Sequence, residues 1–406
     1  MTPSFSTPAL FASDECSRSI PECVSYLTVL FAFQRELMRI EAAWLPGVPY
    51  WDAKQAIARH VLEDASHAEA LLKRLHELKA TSAERRQVAG LDELLQDVAS
   101  AAHGDEWLRG LYGFIKPWFI TFLEEYLRHA DAVMDEPSQV VVSQIIACQQ
   151  KQIAWFEDFS PAFSPWELSN TDPWCVYVKA RLEAVTFKNS VLQAQDAPRR
   201  LPSHPDFGGI AKARRDRTFQ MTHESQQIKE GCTFEEKRFF VFYHHVQEMQ
   251  FAESLCTLLY ETAEMPWAFH YDLARHLADE VRHATMGQKR LEQLGVKLTE
   301  VPMLTQNYEF RSNMDPLEKF CTMTLVMEAG SFERKRANLE LFEKNEDRVS
   351  ALYESYDIRD EMLHTNFGHL WVPILLRVYH DSRSVSELTE HCRGMITQSI
   401  TEYPAR

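Results

Sequence analysis

Glycine is scarce, at 13 of 406 residues, and neither a Gly-x-Gly-x-x-Gly segment nor a phosphate-binding P-loop occurs. Both designs need glycines where backbone approaches phosphate, so a dinucleotide- or nucleotide-binding fold is disfavoured. Alternating apolar and polar residues of the kind that mark strands are nearly absent. The eight cysteines (Cys16, Cys23, Cys148, Cys175, Cys232, Cys256, Cys321, Cys392) include no Cys-x-x-Cys pair, which fits small core residues in a reducing compartment. No run of about 18 uncharged apolar residues is present to span a bilayer. The opening MTPSFSTPALFASDECSRS lacks a basic stretch followed by an apolar one, so no secretory signal is expected and a cytoplasmic location is. Positive charge is in deficit: 43 Lys and Arg against 59 Asp and Glu give −16, which argues against nucleic acid or an anionic membrane as partner.

What the chain does have is helix. Apolar residues make up 45% and charged residues 25%, the balance of a globular protein with enough length for two domains. Helical periodicity predicts helices over 21–45, 50–77, 83–102, 106–133, 138–158, 172–195, 234–263, 266–294, 317–343, 346–379 and 383–401. The expected architecture is all-α: an N-terminal bundle over 1–196, a Pro-, Gly- and Arg-bearing linker over 197–232, and a C-terminal bundle over 233–406. The segment 295–316 is too long for a helix hairpin and reads as the crossover of a four-helix bundle. Ala58-Arg59-His60 through His67-Ala68 aligns with Ala274-Arg275-His276 through His283-Ala284 at an offset of 216 residues, and Trp51 and Trp267 keep the same register. Tandem duplication of one bundle explains that repeat.

The chemistry is concentrated in the second half. Glu-x-x-His occurs at Glu280…His283 and Glu361…His364, and positions i and i+3 on a helix share a face that can reach one metal ion. Each pair is preceded by an aspartate, Asp279 or Asp360, and each follows a helix with two glutamates five apart, Glu248 and Glu253, then Glu328 and Glu333. Four antiparallel helices would bring four carboxylates and two imidazoles together, the inventory of a di-iron or di-manganese site. Depth separates the leading glutamates. Glu248 and Glu328 lie 17 residues before their turns, matching Glu280 and Glu361 at 15 and 16 after, whereas Glu253 and Glu333 lie only 12 before. The expected metal ligands are therefore Glu248, Glu280, His283, Glu328, Glu361 and His364, with Glu253 and Glu333 as supporting groups or late-binding ligands.

EMQFAESL…LADEVRHA and MEAGSFER…IRDEMLHT resemble the ferritin-like di-iron carboxylate superfamily, over about 234–379 and more weakly over 21–158. The resemblance implies that Glu280 and Glu361 bridge two metals, that Glu248 and Glu328 are terminal ligands, and that Asp279 and Asp360 hold ligand histidines in one tautomer. It also implies an oxygenase or oxidase acting on a small-molecule substrate by hydroxylation, N-oxygenation or oxidative cleavage. The cofactors would be two iron ions, with manganese or a mixed pair as the variant, O2 would be the co-substrate, and electrons would come from a donor protein or the substrate. A manganese catalase- or peroxidase-like enzyme and a non-catalytic iron-binding or ferroxidase protein are the alternatives.

Several residues have competing readings. His276, four before Glu280, reads as a packed or hydrogen-bonded histidine, with a third imidazole ligand as the sharper alternative; Asp357 stands at the equivalent place before Glu361. In the first bundle Glu36, Glu41, Asp64 and His67 offer half a site, but PSQVVVSQIIACQQKQIAWF (137–156) contains no Asp, Glu or His, so no two-metal centre can be assembled there. A structural, dimerising or substrate-channel role is left to it. Arg214, Arg215 and Arg217 read as a solvated basic loop, and Pro373 as a kink in the last long helix.

Overall fold

The computed structural model describes residues 18–159, 172–188, 191–194, 204, 206–222, 231–304 and 306–402. They are overwhelmingly helical, as the periodicity required, and no helix among them is long and apolar enough to cross a membrane. The helices are α1 (Ile20–Trp44), α2 (Trp51–Glu77), α3 (Leu91–Ala99), α4 (Gly104–Gly110), α5 (Lys116–Arg128), α6 (Glu136–Phe159), α7 (Pro173–Glu183), α8 (Phe234–Gln247), α9 (Met249–Glu261), α10 (Trp267–Gln293), α11 (Gln306–Ser312), α12 (Pro316–Cys321), α13 (Ala329–Lys344), α14 (Arg348–Val378) and α15 (Val385–Glu402). Two π-helical segments, Leu111–Ile115 and Thr322–Glu328, fuse α4 to α5 and α12 to α13.

Two compact units emerge, one from Met1–Met38 with Glu63–Gly208, the other from Arg39–Leu62 with Gly209–Arg406. The second boundary falls inside the expected linker, of which residues 204, 206–222 and 231–232 are described. The first does not match the expected division at 196, because the end of α1 and the start of α2 join the C-terminal half. The cause is polar as well as apolar. Buried Arg39 donates to the carbonyls of Leu259 and Tyr260 at 2.8 Å each, and Lys54 is buried against Glu253. Withdrawing either cation would leave its buried acceptors, the two carbonyls or the Glu253 carboxylate, uncompensated, which is strongly destabilising.

In the first unit, α1 lays Tyr26 and Phe33 against Phe122 and Phe119 of α5, ring centroids 4.8 Å apart in both pairs. Trp174 of α7 is fully buried against Gly110, and Arg181 holds Asp97 of α3 at 2.6 Å. The helix expected over 172–195 ends at Glu183; beyond it β1 (Val185–Lys188) pairs antiparallel with β2 (Val191–Ala194). The run Val185-Thr186-Phe187 is β-branched and aromatic, which favours the pleated backbone. The helix expected over 83–102 shrinks to Leu91–Ala99 behind Gly90, whose φ of +82° suits a residue without Cβ.

In the second unit, α10 packs on α8 and α9, and α14 packs on α13 and α10. The 295–316 connection contains α11 and β4 (Met303–Leu304), which pairs in parallel with β3 (Met221–Thr222). Two glycines set the closest helix approaches. A Cβ on Gly287 would meet Val246 N of α8 at 2.7 Å, and one on Gly368 would meet Thr324 Oγ1 of the π segment at 2.5 Å. Each lies four residues beyond a Glu-x-x-His histidine, so Glu-x-x-His-x3-Gly occurs twice. Bare backbone one turn past each histidine lets the neighbouring helix close on the site.

Candidate metal centre

The six expected ligands converge, and they do so in two groups. His276, Glu280, Glu328 and His364 form one quartet; Glu248, His283, Asp357 and Glu361 form the other, with the offered ligand atoms of each within 4.8 Å of one another. The helices deliver them as stripes. On α10, His276, Glu280, His283 and Gly287 follow at steps of four, three and four; on α14, Glu354, Asp357, Glu361 and His364 follow at three, four and three. Such steps keep one face of a 3.6-residue helix. Glu328 closes the π segment, and Glu248 sits in a one-residue break between α8 and α9, where its N–H donates to His245 O at 3.0 Å. The uninterrupted helix expected over 234–263 therefore breaks at an expected ligand.

The histidines are aimed crosswise. His283 Nε2 lies 3.1 Å from Asp360 Oδ2, and His364 Nε2 lies 3.4 Å from Asp279 Oδ2, so each aspartate serves the histidine of the other motif. Arg282 ties the two aspartates together at 2.6 Å each, and Arg275 holds Asp279 at 2.8 Å. With Nε2–H committed to an aspartate, the Nδ1 lone pair of each histidine turns to the centre. There His283 Nδ1 stands 3.3 Å from Asp357 Oδ1, 3.4 Å from Glu248 Oε2 and 3.8 Å from Glu280 Oε1, and His364 Nδ1 stands 3.4 Å from Glu280 Oε1. Glu280 Oε1 thus reaches toward histidines of both quartets.

Those separations are the telling quantity. They are too long or misdirected for hydrogen bonds, yet they are the spacing of atoms sharing an ion through bonds of ~2.1 Å. Glu248 Oε2, Glu280 Oε1, Glu328 Oε2, Glu361 Oε2 and the Nδ1 atoms of His283 and His364 are all buried without a hydrogen-bond partner. Native proteins rarely orphan buried polar atoms, and these six belong to residues whose grouping could hold a cation. The donor set of carboxylate oxygens and imidazole nitrogens suits iron or manganese.

His276 is fully buried, stacks on His364 with ring centroids 3.8 Å apart, and places Nε2 2.7 Å from Glu328 Oε1 and 3.6 Å from Glu280 Oε1. It is hydrogen-bonded, as first expected, and it also stands within reach of an ion in its quartet. Burial alone would depress its pKa, but Glu328 and Glu280 outweigh that and raise it to about 10. Burial works against the His283 cation too, yet Asp357, Asp360 and Glu248 push its pKa well up. Glu361 goes the other way: burial, then Glu328, Asp357 and Glu280, drive it well above the carboxylate range despite Lys335.

Two expectations about supporting groups are corrected. Glu333 is exposed, because five residues on from Glu328 the helix has turned about 140° away. Glu253 is fully buried but committed elsewhere: Lys54 and Arg215 clamp it, Arg215 at 2.6 Å. Arg215 is accordingly not part of a merely solvated loop.

Three residues were missed. Lys335 is buried with Nζ 2.7 Å from Asp357 Oδ1 and 2.6 Å from Glu361 Oε1; it lies seven residues after Glu328, a spacing that returns to the same helix face. His245 and Glu354 add a flanking group, His245 Nε2 lying 3.3 Å from Glu354 Oε2 and 3.9 Å from Asp357 Oδ2. Glu354 precedes Glu361 by seven, so the same heptad step could have found it.

In the first unit the half-site is filled by protein. Lys116 is fully buried, with Nζ 2.8 Å from Asp64 Oδ2, 2.7 Å from Gln152 Oε1 and 3.2 Å from Gln149 Oε1, while His67 Nδ1 stands 3.6 Å from Asp64 Oδ1. Glu36 pairs with Arg35 at 2.7 Å and Glu41 is buried in the second unit. Among the described residues, every metal-competent group lies in the second unit.

An all-helical protein with a buried carboxylate–imidazole centre is the class that fold and site define. The chain belongs to the family described as protein of unknown function (DUF455), whose profile matches residues 178–401, more than half of its length. No curated protein and no solved structure matches it.

Proposed function

We propose that the chain is a non-haem di-iron oxidoreductase of ferritin-like type that uses O2 to oxidise a small organic molecule. In this reading each unit derives from a four-helix bundle, and only the second retains the metals. What carries the reading is the set of six buried, partnerless donor atoms distributed over two adjoining quartets. His276, Glu280, Glu328 and His364 would hold one ion, and Glu248, His283, Asp357 and Glu361 the other, with Glu280 and Glu361 between them. A bound pair of ferrous ions would supply the electrons that reduce dioxygen.

The chain's own residues then have definable tasks. Arg282, by bridging Asp279 and Asp360, fixes the tautomer and aim of both Glu-x-x-His histidines. A cleft lined by Phe240, His244, Glu248, Arg334, Lys335 and Glu354 leads from the exposed Arg334 to Glu248 and gives a small substrate access. Burial, with Arg334 and His245 nearby, lowers the His244 pKa to about 4, so at neutral pH its imidazole is uncharged. Metal analysis of protein purified with iron, joined to O2 uptake by the ferrous protein, tests the reading. Two irons per chain and uptake that depends on an added organic substrate are expected. Manganese with gas evolution from peroxide, or O2 uptake indifferent to any organic compound, would replace it with a catalase or ferroxidase.

A further inference from the structure

The two quartets are not equivalent. Among the described residues, no lysine or arginine forms an ion pair with Glu280 or Glu328 of the first, although the buried Arg311 guanidinium lies near enough to Glu280 to feel its charge. The second already surrounds a lysine. Lys335 Nζ lies 2.6 Å from Asp357 Oδ2, 2.6 Å from Glu361 Oε1 and 3.8 Å from Glu248 Oε1, so it touches or approaches every carboxylate of that quartet. It reaches them from α13, seven residues beyond Glu328 of the other quartet.

The first unit supplies an independent observation of the same device. There a lysine on the helix following a π segment, Lys116, places its ammonium against Asp64, and glutamine oxygens complete its shell. In that unit the ammonium is the permanent cation. In the second unit the shell is still made of carboxylates and an imidazole, groups able to hold either an ammonium or a metal ion.

We propose that Lys335 is a built-in cation of the Glu248–His283–Asp357–Glu361 quartet, so that divalent metal loads the two quartets in order: first the His276 quartet, then the second, only as the ammonium is displaced. The inference rests on the di-metal reading above and deepens it. Ammonium and dication compete for the same oxygens, and like charges ~4 Å apart in a protein interior repel strongly enough to weaken binding ~100-fold or more. Displacement lowers that cost. The side chain also lines the cleft that contains Glu354, which gives the released ammonium a carboxylate to turn to. Reaction at a paired centre thereby becomes conditional on the second ion arriving, which protects a singly loaded protein from engaging O2.

The test is titration of the full-length, metal-stripped protein with Mn(II), following free ion and spin-coupled pairs by electron paramagnetic resonance. Unaltered protein should bind its first ion about tenfold or more tighter than its second, with coupled pairs appearing only after one equivalent. Lys335→Met, close in length and neutral, should tighten the second site by about tenfold or more and leave the first within about threefold. Lys335→Arg keeps the charge and should keep the gap, so the comparison survives if the methionine variant folds poorly. Two equal sites in the unaltered protein, or a second site no tighter in Lys335→Met, overturns the proposal while sparing the di-metal reading. Absence of Mn(II) binding in all three proteins overturns both.

Discussion

Glu280→Gln is the sharpest perturbation of the centre. It keeps shape and volume but removes the negative charge and one of the two oxygens of the carboxylate whose Oε1 faces His364 Nδ1 at 3.4 Å and His283 Nδ1 at 3.8 Å, close to histidines of both quartets. Metal at about 100 times its Kd stabilises the native state by about 2.7 kcal/mol per ion, so two ions contribute ~5 kcal/mol. For a unit of roughly 200 residues each kcal/mol moves Tm by about 2–4 °C, giving a metal-dependent increment of ~10–20 °C. If loss of the shared carboxylate weakens each site ~100-fold, the same metal concentration only equals Kd and contributes about 0.4 kcal/mol per ion. The increment should fall to a few degrees. Thermal unfolding of metal-stripped and Fe(II)- or Mn(II)-supplemented protein, run anaerobically with metal analysis, measures it. Because increments are compared, any shift of the metal-stripped baseline cancels. An increment in Glu280→Gln equal to that of unaltered protein would show that Glu280 holds no ion.

Gly287→Ala should destabilise by about 1–3 kcal/mol, because its Cβ meets backbone atoms Val246 N and Phe242 O, at 2.7 and 2.8 Å, that cannot swing away. Gly330→Ala, exposed in α13 with open space around it, should instead stabilise by about 0.5–1 kcal/mol; denaturant unfolding of both tests the helix-approach argument. Lys116→Met should cost about 3–5 kcal/mol by stranding the buried Asp64 carboxylate, and adding Asp64→Leu should recover much of it; no recovery would remove the ion pair from the account. Asp64→Ala should leave metal content unchanged, and loss of an ion would restore a metal role to the first unit. Asp347 caps α14 through Ser350 N and accepts from Arg290 and Arg238; burial opposes its charge, but these partners win and lower its pKa to about 2. Its contribution should be complete above the ordinary carboxylate pKa and fade as pH falls through about 2, and Asp347→Asn should flatten that part of the acid-unfolding curve.

Helix content and the six expected ligands could be read from the chain because both depend on local period. Glu-x-x-His places two donors on one face whatever the neighbours are, and counting residues from each turn separated Glu248 and Glu328 from Glu253 and Glu333. The same arithmetic, carried one heptad further, reaches Lys335 from Glu328 and Glu354 from Glu361. Other features had no local signal. Whether His276 packs in a core or faces an ion depends on Glu328, 52 residues away, and the fate of Glu253 depends on Lys54 and Arg215.

Sequence alone thus determined which helix faces carry acid, imidazole and glycine, since a face is a property of 3.6 residues per turn. Tertiary structure decided what those faces meet: that the aspartates cross to the opposite histidines, that residues 39–62 belong with the second unit, and that an ammonium shares one quartet. Such outcomes are Coulombic and steric, fixed by distances of 3–4 Å between residues far apart in the chain, and no local pattern encodes them.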